Sequence, residues 1–325
     1  MNKQLSMSFV QDELAEVKTN KTAFLEQMNR LVPWGEWVKK IEPYYYKGER
    51  GNKPYDLELM LRIHVLQNLY NLADMAARNE IIDSRAFSRF CGVESSNQIP
   101  DGDTIGRFRN ILTRNGLQEQ LFADLVETLK KNGLILMKGT IVDSTLIAAA
   151  PSTKNKEKQR DPEAHQSKKG KNWHFGYKAH IGADRDTGLI HHVEVTAGNV
   201  SDVAEMSQLL NGTEDEVYGD SGYLGAEKRE EAITTNTNGK RIRYKINKRP
   251  SMIHKNPGWK RGQQKRREHE KSSVRAKVEH VFGIVKKQFR YRKTRYRGLV
   301  KTAASLYMRF TLANLILADR RGLAA

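Results

Sequence analysis

A single cysteine, Cys91, in 325 residues excludes an internal disulfide framework and a cysteine-rich zinc site. No run of 18 apolar residues occurs, so no segment qualifies as a membrane span and no membrane partner is expected. The N-terminal MNKQLSMSFVQDELAEVK has no apolar core of the kind a signal peptide needs, and a reducing cytoplasm is the expected compartment. No internal repeat is present. Acids are nearly missing from one region. Between Lys240 and Lys301 only Glu268, Glu270 and Glu279 oppose 23 lysines and arginines. That segment carries +20 against a whole-chain net charge of +18, so the remainder sums to −2. A solvated basic tail has no use for aromatic rings, yet this block contains Trp259, Phe282, Phe289, Tyr291 and Tyr296. Cations interleaved with aromatics point to a folded surface for a polyanion, nucleic acid above all. The length, with 38% hydrophobic and 29% charged residues, suffices for a full core in one large domain or two.

Taken in order, residues 1–132 read as a mostly α-helical N-terminal domain. Lys3 to Lys18 is polar with a few apolar positions. Thr22 to Trp37 carries Phe24, Leu25, Met28, Leu31 and Val32 at helical spacing. Asp56 to Leu72 is the strongest helix, with Leu57, Met60, Leu61, His64, Val65 and Leu69 in period. Residues 73–91 continue as one or two short helices ending near Gly92, and ESSNQIPDGD is a loop. Thr104 is the expected cap of a helix through Arg114, and Gly116 begins another through Lys131. A plain helical bundle and a helix-turn-helix that reads DNA both fit, and no recognition helix can be singled out.

At Gly133 the pattern changes, and residues 133–325 form the second expected domain. LILMKGTIVDSTLIAA, rich in β-branched and aliphatic residues, reads as a strand or hairpin with Asp143 inside it. An acid in an apolar strand is costly unless it is paired or binds a cation. Residues 152–172 read as a mobile, lysine-rich loop. A hairpin follows around Asp186-Thr187-Gly188, with Asp184 and Asp186 as turn residues. Ser201 caps an expected helix DVAEMSQLL. EVYGDSGYLG is a short strand ending in Asp220, with glycines that would let a phosphate backbone approach. EKREEAITT reads as a helix and KRIRYKINKR as a basic strand. After Pro257 comes the helix bearing Glu279, and after Gly298 a strongly apolar helix from Leu299 to Arg320.

At about 100° per residue, Val274, Val278, Val281, Phe282, Val285 and Phe289 form an apolar stripe. Arg275, Glu279 and Lys286 share a narrow row at its edge. A carboxylate between two cations reads alone as a surface ion pair of Arg275 with Glu279. Asp143 and Asp220 change that reading. Three acids from separate elements, brought to one end of a sheet, can hold two divalent ions, the arrangement that serves phosphoryl transfer on DNA. His165, His174, His180, His191 and His192 cluster in sequence, but no zinc ligand set can be built from them. Trp173 and Trp259 lie in basic stretches and are candidates for stacking on a base.

Long stretches resemble the DDE transposases of bacterial insertion sequences, specifically the insertion-sequence-five group. They run from FLEQMNRLVPW and YYYKGERGNKPYDLELMLRIHVLQ, through GTIVDSTLIAAAPSTKN, RDPEAHQSKKGKNWHFGYKAHIGADRDTGLIHHV and YGDSGYLGAEKR, to SSVRAKVEHVFGIVKKQFRYRKTRYRGL. The resemblance implies an α/β RNase H-like catalytic domain, a mixed central sheet flanked by helices. It also implies a catalytic and metal-binding triad of Asp143, Asp220 and Glu279 with two Mg²⁺ ions, for which Mn²⁺ substitutes. Arg275, Glu279 and Lys286 match the arginine, glutamate and lysine of the group's tyrosine–arginine–glutamate–lysine signature, while Ser272 occupies the tyrosine position. The implied partners are double-stranded DNA, as terminal inverted repeats and as target, and a second copy of the chain or a higher assembly. Arg275, Lys286, Trp259, Lys287 and Arg290 are the expected DNA contacts, and association with the nucleoid follows when DNA is bound. A non-catalytic DNA-binding regulator descended from such an enzyme is the alternative.

Overall fold

The computed structural model describes residues 18–322 apart from 47, 49–52, 155, 157 and 256. The expected helix from Lys3 falls outside the described residues. The Thr22–Trp37 segment divides into α1 (Asn20–Leu31) and α2 (Trp34–Ile41), because Pro33 cannot donate the bond that would carry one helix through. The Asp56 carboxylate accepts the Leu59 N–H at 2.9 Å and starts α3 (Leu57–Tyr70), which is apolar nearly all round and buried. Asn71, in the left-handed conformation, ends it. Then come α4 (Asp74–Asp83), α5 (Arg85–Cys91), α6 (Gly102–Arg114) and α7 (Leu117–Lys131). The cap of α6 is Asp101, not Thr104. Its carboxylate accepts the Thr104 N–H at 2.7 Å, which makes Thr104 the third helical residue.

The sheet contains β1 (Gly139–Ala148), β2 (His165–Lys169), β3 (Asn172–Asp184), β4 (Ile190–Ala197), β5 (Glu216–Gly219) and β6 (Arg243–Ile246). β1 is one continuous strand, not a hairpin. It pairs antiparallel with β3 and parallel with β5, and β6 extends the parallel side. β2 pairs with the first residues of β3 and β4 with the rest. A mixed sheet with flanking helices, following a helical N-terminal region, is consistent with an RNase H-like fold. Part of the stretch read as a loop is therefore a strand. β2 is held by backbone bonds to β3, which its lysine-rich sequence does not advertise. EKREEAITT makes only a short 3₁₀ turn, Ala226–Lys228, since it has no apolar stripe to bury. The helix after Ser201 is also short, α8 (Asp202–Glu205), continuing into a 3₁₀ turn, Ser207–Leu209.

α9 (Pro250–His254) precedes α10 (Gly258–Gly283), which runs into a π turn, Ile284–Gln288. Of the apolar stripe that starts on α10, Val278, Val281, Val285 and Phe289 are inaccessible to solvent, and Val274 and Phe282 are half-buried. α11 (Leu299–Arg320) packs against α3 and α7, and also against β4, so one apolar core joins the helices to the sheet. Alternation along β1 sets the faces. Ile141 and Ile147 enter the large core that includes α10, whereas Val142 enters a smaller core with Val217, Tyr223 and Ile246. Asp143, in phase with Ile141, thus belongs to the face that α10 covers.

Candidate active site

Asp143 follows two fully buried residues of β1, and its side chain is 19% exposed. Its Oδ1 accepts the Ser144 N–H at 2.8 Å, and its Oδ2 lies 3.5 Å from Nη2 of Arg275. Burial pushes the Asp143 carboxyl up to about 6. The charge of Asp220 adds to that rise, while Arg275 and the Ser144 N–H pull against it. Asp220 comes directly after β5. Ile141 of β1 pairs with Tyr218 of β5, so both aspartates stand two residues past the same parallel pair. They are close enough for one charge to act on the other. Asp220 Oδ1 accepts the Gly222 N–H at 2.7 Å. A Cβ on Gly222 would stand 2.8 Å from that oxygen, and one on Gly219 would meet Ile246 at 2.9 Å. At both positions a side chain would crowd neighbouring side chains, at Gly222 the Asp220 carboxylate itself.

Glu279 is exposed on α10 and forms no ion pair or hydrogen bond among the described residues. The surface ion pair with Arg275, the reading set aside from sequence, is not made, because Arg275 turns instead to the sheet. Its Nη1 also donates to Oδ1 of Asn247, at 3.3 Å. Beyond Gly283, α10 gives way to the π turn that holds Lys286. Lys286 lines a cavity of about 240 Å³ with Leu146, His174, Phe175 and Arg292. Lys287 and Arg290 are exposed just beyond, and Arg290 adopts a positive φ of 56°. Trp259 is 73% exposed at the start of α10. Twenty residues before Glu279, it stands about 30 Å away along the helix. Trp173 is 65% exposed on the β2–β3 hairpin.

Two residues beside the site were not singled out from sequence, Asn247 and Glu268. Asn247 comes directly after β6, and its N–H bonds the Gly219 carbonyl at 3.0 Å, next to Asp220. Glu268 is buried on α10 and accepts from Asn247 Nδ2 at 3.0 Å. A signal for Glu268 existed. Seven residues before Arg275, it falls within roughly 20° of it around the helix, on the same row.

The donor chemistry bears on whether divalent ions fit. Asp143 and Asp220 offer hard oxygen ligands side by side, and their mutual repulsion is of the kind a bound cation relieves. Asp220 presents a second oxygen that accepts no hydrogen bond among the described residues. Among the described residues no group of three or more His, Cys, Asp or Glu side chains is arranged to hold a metal ion. Asp143 and Asp220 fit an ion; Arg275 lies against Asp143, and Glu279, one helical turn further along α10, has no hydrogen bond or ion pair among the described residues. The histidines are placed structurally or on the surface. His191 Nδ1 lies 2.8 Å from His192 Nδ1. His191 Nε2 is 3.1 Å from Thr140 Oγ1, whose hydroxyl donates to buried Glu214 at 2.9 Å. His180 is buried against Thr196, and His165 and His174 are exposed.

Residues 136–315 match a family model described as a transposase DDE domain, a span that takes in the whole sheet and all three acids. Residues 12–110 match a second, described as a transposase domain (DUF772). No solved structure matches the chain.

Proposed function

The chain belongs to the insertion-sequence transposases with a DDE domain, and from that premise we propose an enzyme of the insertion-sequence-five group that cuts and rejoins DNA at the ends of its own element. The observation that carries this reading is the pair formed by Asp143, inside β1, and Asp220, directly after the parallel neighbour β5, under a basic helix. Asp143 and Asp220 bind divalent ions, Mg²⁺ or Mn²⁺, and Glu279 completes the set. When bound, such ions activate water and neutralise charge on the attacking and leaving oxygens. In the first step a water oxygen bonds to phosphorus as the bond to the 3′ oxygen breaks, leaving a 3′-hydroxyl and a 5′-phosphate. In the second, that hydroxyl attacks a target phosphodiester and displaces the target's own 3′ oxygen. Each step makes one P–O bond and breaks one, so no outside energy source is required.

Arg275 and Lys286 hold phosphates near the acids, Arg275 by a two-pronged contact. Lys287 and Arg290 extend that surface. The exposed first half of α10 continues it along the DNA backbone, with Trp259 and six lysines and arginines from Lys260 to Lys271 against Glu268 and Glu270. Two element ends must be held at once, which calls for a dimer or larger assembly. The alternative, a DNA-binding regulator without catalysis, is favoured only by the lack of a group of three acids arranged to hold a metal ion among the described residues.

The test is nicking of a duplex that carries the element's terminal inverted repeat, with Mg²⁺ or Mn²⁺. Asp143→Asn and Glu279→Gln should bind this duplex and leave it uncut. A variant that still nicks would remove its residue from the catalytic set. A wild-type protein that binds both repeats but never nicks with either ion would hand the case to the regulator.

A further inference from the structure

Arg275 has a free choice of carboxylates by sequence, and the nearest is Glu279, one helical turn away. A helix-surface pair of that kind is worth only about 0.2–0.5 kcal/mol. The guanidinium instead crosses to the sheet, and the reason lies in how its far side is held. The two N–H groups of the Asn247 amide have three acceptors within reach: the Glu268 carbonyl at 3.2 Å, Glu268 Oε2 at 3.0 Å and Ser272 Oγ at 3.3 Å. With its nitrogen so engaged, the amide must aim its oxygen the other way, at Arg275 Nη1. Glu268 is itself fixed. It accepts from the Lys248 N–H at 2.8 Å, from Gln264 Nε2 at 2.6 Å and from Lys271 Nζ at 3.0 Å, and Lys271 also donates to the Ile246 carbonyl at 2.9 Å. Ser272, small where the signature has tyrosine, is part of the same network.

The order of control thus runs from Glu268 to Asn247 to Arg275 to Asp143. Arg275 meets Asp143 at the same Oδ2 that would otherwise be open to an ion, and meets it loosely, at 3.5 Å. Its Nε is buried without a partner. A phosphate, which offers shorter paired bonds to a guanidinium, would compete for it well.

We propose that Arg275 is the resident counter-cation of Asp143, positioned by Glu268 and Asn247, and that it must leave for a DNA phosphate before Asp143 can take a divalent ion. Metal and DNA binding are then coupled, and the DNA-free enzyme is kept from loading fully. The idea rests on the proposed role of Asp143 as a metal ligand, so the experiment separates the two.

Mn²⁺ binding to the full chain, read from the electron paramagnetic resonance of free Mn²⁺, is measured with and without a short DNA duplex. Wild type, Arg275→Gln, Arg275→Lys, Asn247→Ala and Asp143→Asn are compared. Without DNA, Arg275→Gln should bind Mn²⁺ about tenfold more tightly than wild type, the order expected for losing one half-buried cation. Asn247→Ala should move the same way by less, and Arg275→Lys should lie between. DNA should tighten Mn²⁺ binding in wild type and leave Arg275→Gln nearly unchanged. If Arg275→Gln and Asn247→Ala bind no tighter while Asp143→Asn loses binding, the counter-cation idea is wrong and the metal role stands. If Asp143→Asn binds Mn²⁺ as wild type does, both fall.

Discussion

Asn in place of Asp143 should stabilise the metal-free protein while removing its activity. The carboxyl has a folded-state pKa of about 6 against an ordinary value of 3.8. Burial and the neighbouring Asp220 charge together outweigh the attraction of Arg275. For an acid whose pKa is raised by folding, the unfolded chain gives up its proton first. Its contribution to stability is therefore fully present below 3.8 and is lost as pH rises through 6. The gap of 6 minus 3.8, at 1.36 kcal/mol per unit, puts the loss at about 3 kcal/mol. Asparagine stands in for the protonated acid: it keeps an oxygen for the Ser144 N–H and drops the repulsion with Asp220. Urea unfolding in the presence of a chelator should show Asp143→Asn more stable than wild type by about 3 kcal/mol at pH 7.5. The difference should shrink toward pH 4. Adding Mg²⁺ should then stabilise wild type and leave the variant unmoved. A variant less stable than wild type at pH 7.5 would refute the reasoning, because it would mean that the contact with Arg275 dominates the site.

Three further outcomes follow from other parts of the molecule. Burial, with Arg109 and Arg309 adding to it, pushes the His64 pKa down to about 3 from 6.5. The stability this neutral imidazole supports is present above 6.5 and lost as pH falls toward 3, about 2 kcal/mol of it by pH 5; His64→Gln should flatten that part of the unfolding free energy measured between pH 7.5 and 5. A Cβ at Gly182 would stand 2.3 Å from the Leu209 carbonyl, so Gly182→Ala should cost roughly 1–3 kcal/mol in urea unfolding through displacement of the turn beside β3. Neutralising Lys287 or Arg290 should weaken binding to all duplexes alike and lower the salt slope of DNA affinity by about 1 for each phosphate no longer neutralised; an unchanged slope would take that residue off the DNA surface.

Much of the molecule could be read from local pattern. The 3.6-residue period of Val278, Val281, Val285 and Phe289 required a buried helix, and it is buried. The apolar run from Leu299 became α11 with the bounds its composition implied, because only a central position hides a helix that is apolar all round. Asp143 inside an apolar strand and Asp220 at the end of another announced themselves, since acids are costly there without a partner. The match to transposase domains extends that legibility to the family.

Other features needed the assembled fold. β2 was hidden because backbone pairing with β3 leaves no trace in a lysine-rich sequence. The π turn at Ile284–Gln288 left no mark in the apolar spacing, since Val285 and Phe289 are buried all the same. Most of all, the choice of Arg275 between two carboxylates depended on Asn247, 28 residues earlier in the chain, and on the docking of α10 over β1. Spacing along a helix states which groups lie within reach of one another. Which of them actually meet is decided by what holds the other end of each side chain, and for Arg275 that is an amide oriented by a buried glutamate.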